Sequence, residues 1–82
     1  MIKTTYNGWA NYETWNVALF INNDGVAYEI AMNVGNYNEF VLNVMELLPP
    51  VNKTFDGVSL TDSNIDKDEI DELITELNEE NK

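Results

Sequence analysis

Eighty-two residues carry fifteen acids against four lysines, with no arginine and no histidine, for a formal net charge of −11. The absence of cysteine excludes disulfide staples and thiolate zinc sites, and the absence of histidine removes the usual transition-metal ligand and the commonest general base at neutral pH. Four lysines are too few to hold nucleic acid by neutralising phosphates, and an anionic membrane repels such a chain, so the partners expected are basic protein surfaces, including those that themselves hold nucleic acid.

The length predicts one domain, which buries only about 60–65% of its unfolded surface. Hydrophobic residues make up 44% of the chain, enough for an ordinary globular core. The charge is uneven. Residues 1–50 hold five acids and one lysine, for −4, whereas residues 51–82 hold ten acids and three lysines, for −7. The opening MIKTTYNG lacks the apolar core of a signal peptide, and no run approaches the roughly 20 apolar residues of a membrane span, so a cytoplasmic protein is expected.

In chain order, the first helix is predicted from about Tyr12 to Asn23. Asn11 is its N-cap and Glu13 sits in the first turn, where the helix dipole favours an anion. Trp15, Ala18, Leu19 and Asn22 follow helical spacing, with Val17, Phe20 and Ile21 on the other sides, so this helix is expected to be central. VALFI also suits a buried strand, but the asparagine entry and the NNDG exit favour helix. Asp24 or Gly25 starts a second helix, Val26 to about Val34, with Val26, Ala27, Ile30, Ala31 and Val34 as its inner stripe. Asn36 caps a third, with Glu39 at the reciprocal capping-box position. Phe40, Val41, Val44, Met45 and Leu48 form its apolar face, and Pro49-Pro50 stops it.

Residues 51–62 carry turn chemistry centred on Asp56-Gly57 and are expected to be irregular or strand-like, pinned to the core by Phe55, Val58 and Leu60. The last helix has the cleanest start. Asp66 is the N-cap, Glu69 the capping-box partner, and Ile65 can staple onto Ile70. Ile70, Leu73, Ile74 and Leu77 give it one narrow apolar seam, and the tail from residue 78 is expected to fray. The fold class expected is thus all-α, a compact single domain of three or four short helices.

Trp9, Tyr12 and Trp15 recur every three residues. With Asn7, Asn11 and Asn16 they could stack on and hydrogen-bond a base. The favoured reading of Trp9, Asn11, Tyr12 and Trp15 is structural, because a nucleotide site also needs cations and only Lys3 is close in sequence. The acids of the last helix are the stronger candidate site. Asp62, Asp66, Asp68, Glu69, Asp71, Glu72, Glu76 and Glu79 crowd into one stretch, with Asp68, Glu72 and Glu76 in a single i, i+4 row. Such a row spaces charges by about 6 Å. One DNA strand carries a phosphate about every 3.4 Å, so the row resembles every second phosphate. The competing reading is a solvated face that keeps a small protein soluble.

Asp62-Ser63-Asn64-Ile65-Asp66 opens like a calcium loop, but Lys67 replaces the glycine and Leu73 the final glutamate, so no metal and no cofactor are expected. No Ser/His pair, glycine-rich phosphate loop or facing carboxylate pair in a cleft is legible, so no enzyme is expected.

The stretch GWANYETWNVALFINND resembles a family of small proteins encoded by phages and other mobile elements, whose opening motif reads G-W-x-N-Y-E-T-W-N-V-x-L-W-I-x-N-D. Gly8, Trp9, Asn11, Tyr12, Glu13, Thr14, Trp15, Asn16, Val17, Leu19, Ile21 and Asp24 match it, with Asn22 or Asn23, while Phe20 replaces the tryptophan. FDGVSLTDSNIDKDEIDELI also looks like the end of some members. The resemblance supplies no catalytic residues. It implies a small accessory protein acting in the host bacterial cytoplasm. With the charge, it points to an inhibitor of a host defence protein, such as a CRISPR effector or restriction enzyme, through a nucleic-acid-mimicking surface. Two alternatives stand beside it. One is an adaptor that uses apolar surface, as a homodimer or through rings such as Tyr28, Tyr37 or Phe55. The other is a small-ligand or nucleotide module around Trp9 and Trp15.

Overall fold

Among the described residues four helices follow one another: α1 (Tyr12–Asn23), α2 (Gly25–Ala31), α3 (Tyr37–Leu47) and α4 (Lys67–Glu80). The computed structural model describes residues 8–47, 52–54 and 56–80. Leu48, Pro49-Pro50, Phe55, Asn7 and the last two residues of the expected tail lie outside them. Each helix starts where a short polar side chain accepts from the amide three residues on. Asn11 accepts from Thr14 at 2.8 Å, Asp24 from Ala27 at 2.8 Å, Asn36 from Glu39 at 2.9 Å and Asp66 from Glu69 at 3.2 Å. Each cap contributes about 1 kcal/mol by satisfying a donor the helix leaves open. Neither expected capping box closes in reciprocal form. Glu39 accepts from Gly35 N–H at 2.8 Å, one residue upstream of the cap, and Glu69 turns away to Ala10 N–H at 2.7 Å.

The helices pack as an all-α domain. α1 touches α2 and α4, and α4 also touches α2 and α3. The radius of gyration of 12.2 Å is what a compact chain of this length has. Val17, Ile21, Ala27, Ala31, Phe40, Val44, Ile70 and Ile74 are sealed in one core. α4 buries the expected seam, with Leu73 at its edge. Ile65 is buried with Ile70, as a staple requires.

Three helix faces differ from the sequence expectation. In α1, Leu19 and Asn22 face outward and Thr14 and Asn16 are buried, because α2 and α4 close over the side that carries Val17, Phe20 and Ile21. α2 ends at Ala31 rather than Val34, and Val26 is 48% exposed. The early ending has a partner in α4: Asn78 Nδ2 lies within hydrogen-bond reach of Ala31 O (3.2 Å) and Val34 O (3.1 Å), as well as Ile74 O in its own helix (2.8 Å). Asn78, the start of the expected frayed tail, thus sits within α4 and ties it to the end of α2. In α3, Met45 is exposed while Tyr37 is buried.

Tyr37 stacks on Phe40, with ring centroids 5.9 Å apart, and its hydroxyl donates to Leu60 O at 2.6 Å. Burial pushes that hydroxyl well above the ordinary tyrosine pKa. The tyrosine therefore clips α3 to the segment before α4. Among the described residues that segment forms no strand, only an isolated antiparallel bridge between Lys53 and Ser59. The mate of this strand-like piece is its own other half. Thr54 and Leu60 N–H donate to Val58 O and Asn52 O across a turn at Gly57, whose φ of +89° suits glycine. No helix among the described residues is long and apolar enough to cross a membrane.

Candidate functional site: the acidic face of α4

The polar residues around α1 hold α4 and the loop before it. Asn11, besides capping α1, donates through Nδ2 to Asn64 O. Thr14 Oγ1 accepts from Asp66 N–H at 2.8 Å, fixing the residue that caps α4. Asn16 is 1% exposed. Its Nδ2 donates to Asp56 Oδ2 at 2.7 Å, its Oδ1 accepts from the Thr54 hydroxyl, and Thr54 Oγ1 in turn accepts from Val58 N–H at 3.1 Å. The bonds made by Asn11, Thr14 and Asn16 cross 38 to 53 residues of sequence. Buried donors and acceptors this well paired rigidify a domain, whereas removing one partner strands the other.

α4 returns the arrangement. Asp71 Oδ1 accepts from Tyr37 N–H at 2.8 Å at the start of α3, and Glu69 accepts from Ala10 N–H. The eight expected partner-binding acids therefore fall into two groups. Asp62 closes a turn onto Asn64 N–H at 2.8 Å, and Asp66, Glu69 and Asp71 hold backbone amides, all four only partly exposed. Asp68, Glu72, Glu76 and Glu79 are exposed. At 100° per residue these four lie within about 80° of one another around the helix, and span about 16 Å of its axis. The result is a straight carboxylate stripe on the side of α4 away from its seam. Among the described residues no group of histidine, cysteine or carboxylate side chains could hold a metal ion.

The aromatic segment divides too. Trp9 packs half-buried against the core. Tyr12 is 38% exposed, and its ring lies 5.7 Å from that of Trp15 at a tilt of 41°. Trp9 also lines a cleft of about 250 Å³ with Gly8, Leu73, Glu69, Glu72 and Glu76. Three glutamates lining that cleft make it hostile to a nucleotide's phosphates. Sequence spacing grouped Trp9 with Tyr12 and Trp15; its place beside the stripe depends on α4 packing back against residues 8–10, which no local signal encodes.

A second cleft of about 270 Å³ lies between α3 and the loop, lined by Tyr37, Val41, Leu42 and Leu60 with Asn38, Thr61 and Lys67. Of the rings expected for an apolar contact, Tyr37 is buried and Tyr28 is half-buried against the core. The exposed apolar groups of α3 are instead Leu42, Met45 and Leu47.

No curated protein and no solved structure matches the chain. A family model does, that of a family of unknown function, DUF7249, over residues 2–81, and the chain belongs to that family.

Proposed function

We propose that this member of DUF7249 is a binding protein whose α4 stripe of Asp68, Glu72, Glu76 and Glu79 occupies a basic, nucleic-acid-holding surface of another protein. The observation that carries the reading is the division of labour along α4 and the turn before it: Asp62, Asp66, Glu69 and Asp71 are engaged in holding the fold, and Asp68, Glu72, Glu76 and Glu79 form one aligned, solvent-facing row. A face needed only for solubility has no requirement for alignment. A cationic groove built for phosphates does, because it rewards regularly spaced anions on a rigid support. The net charge of −11 adds long-range attraction to such a groove. The resemblance of the Gly8–Asp24 motif to phage and mobile-element proteins narrows the target class to a host defence protein, a CRISPR effector or restriction enzyme, inhibited in the bacterial cytoplasm. The chain needs no catalytic step for this role.

The test is a pull-down from bacterial lysate at low and high salt, with the captured proteins identified. Nucleic-acid-handling proteins should be captured at low salt and released at high salt. The triple reversal D68K/E72K/E76K should weaken capture about tenfold or more while leaving helicity unchanged by circular dichroism. If the reversed protein captures the same partners equally well, the acidic-surface reading is wrong.

One observation favours a second reading, an apolar adaptor or homodimer. Leu42 is 66% exposed beside Met45 on α3, next to the cleft floored by Val41 and Leu60. Self-association through that face should persist at high salt and rise with protein concentration in sedimentation, and Leu42→Glu should abolish it.

A further inference from the structure

The cleft beside Trp9 differs from the rest of the stripe. Trp9 and Gly8 line one side of it. Leu73 supplies apolar surface, and Glu69, Glu72 and Glu76 supply carboxylates on successive turns of α4. Glu69 is fixed by Ala10 N–H, so the end of the cleft near the α4 start is held in place. Glu72 and Glu76 are exposed and free to turn toward an occupant. At about 250 Å³ the cleft takes one long side chain and no folded element.

An indole beside carboxylates and an apolar side chain matches the chemistry of a guanidinium. An arginine side chain stacks its plane on an indole, lays its methylenes on apolar surface and presents a fork of donors to carboxylates. A lysine ammonium is a compact, strongly hydrated charge and gains less from the ring. We infer that this cleft is an arginine-anchoring site, the point at which the stripe discriminates among cationic partners. The inference rests on the acidic-surface reading and deepens it: the outer carboxylates, Asp68 and Glu79, supply attraction regardless of which cation faces them, whereas Trp9, Glu72 and Glu76 select arginine.

Oligo-arginine and oligo-lysine peptides of equal length, titrated against the whole protein at low salt, test this. With Trp15→Phe in the background, Trp9 is the sole tryptophan reporter. Oligo-arginine should change its emission saturably and bind about fivefold more tightly than oligo-lysine. Two charge-matched pairs separate the cleft from the stripe without touching Trp9: E72Q/E76Q should erase the preference for arginine, and D68N/E79Q should weaken both peptides alike and keep it. Equal binding of the two peptides, or a preference that survives E72Q/E76Q, overturns the arginine site and leaves the acidic surface standing. Failure of both peptides to bind overturns both readings.

Discussion

The stretch from Gly8 through α1 and the acidic helix α4 are both rich in polar side chains, and they use them in opposite directions. Around α1, Asn11, Thr14 and Asn16 turn inward or along the chain and bond to residues 54–66. On α4, Asp66, Glu69, Asp71 and Asn78 do the same in return, but Asp68, Glu72, Glu76 and Glu79 face solvent. The difference separates polarity that builds a fold from polarity left facing solvent. A motif dense in aromatics and amides invites a ligand-site reading, yet its amides are consumed by the protein's own backbone and loop.

That contrast breaks most visibly at Asn16. Asn16→Ala takes a partner from the buried Thr54 hydroxyl and opens a cavity, and it should lower unfolding free energy by about 2 kcal/mol in a urea titration. The loop–α3 clip has a pH signature. Because Tyr37 holds its proton more tightly folded than unfolded, the unfolded chain binds fewer protons above pH 10, so stability falls as pH rises. The tyrosine's contribution is full below that pH and declines by about 1.4 kcal/mol per unit above it, while Tyr37→Phe should flatten this part of the profile. The smallest effects sharpen the division within α4. Asp71→Ala removes the acceptor for Tyr37 N–H and should cost about 1 kcal/mol. Neutralising the whole outer stripe, D68N/E72Q/E76Q/E79Q, should change stability by less than about 0.5 kcal/mol, with relief of like-charge repulsion favouring a slight gain. A stripe whose removal unfolds the protein would erase the distinction.

Three helix starts were legible in the sequence, because Asn11, Asn36 and Asp66 act on amides three residues away, and the second, open between Asp24 and Gly25, is capped by Asp24 in the same way. The seam of α4 was legible for the same reason of locality. What escaped was non-local. Glu69 satisfies the spacing of a capping box, yet Ala10 lies close by only after folding and takes the carboxylate. Leu19, Val26 and Met45 are as apolar as their buried neighbours, and only the placement of the other helices leaves them outside. The candidate site was legible as a stretch but not as a surface. Asp71 and Glu72 are adjacent and chemically alike, and the turn of the helix sends one to α3 and the other to solvent. Asn78, in a tail that reads as solvated, gained its role from the carbonyls at the end of α2.

The anchoring of α4 has a further consequence. Fourteen residues is near the length below which an isolated helix in water is marginal, and like charges along one side weaken it more. Cut loose, the peptide would present its carboxylates as a fluctuating cloud. Stapled by Thr14, Tyr37 and the end of α2, it is a ruler whose graduations are already set, as the proposed docking onto a basic surface requires. Little ordering entropy then remains to be lost at the moment of contact.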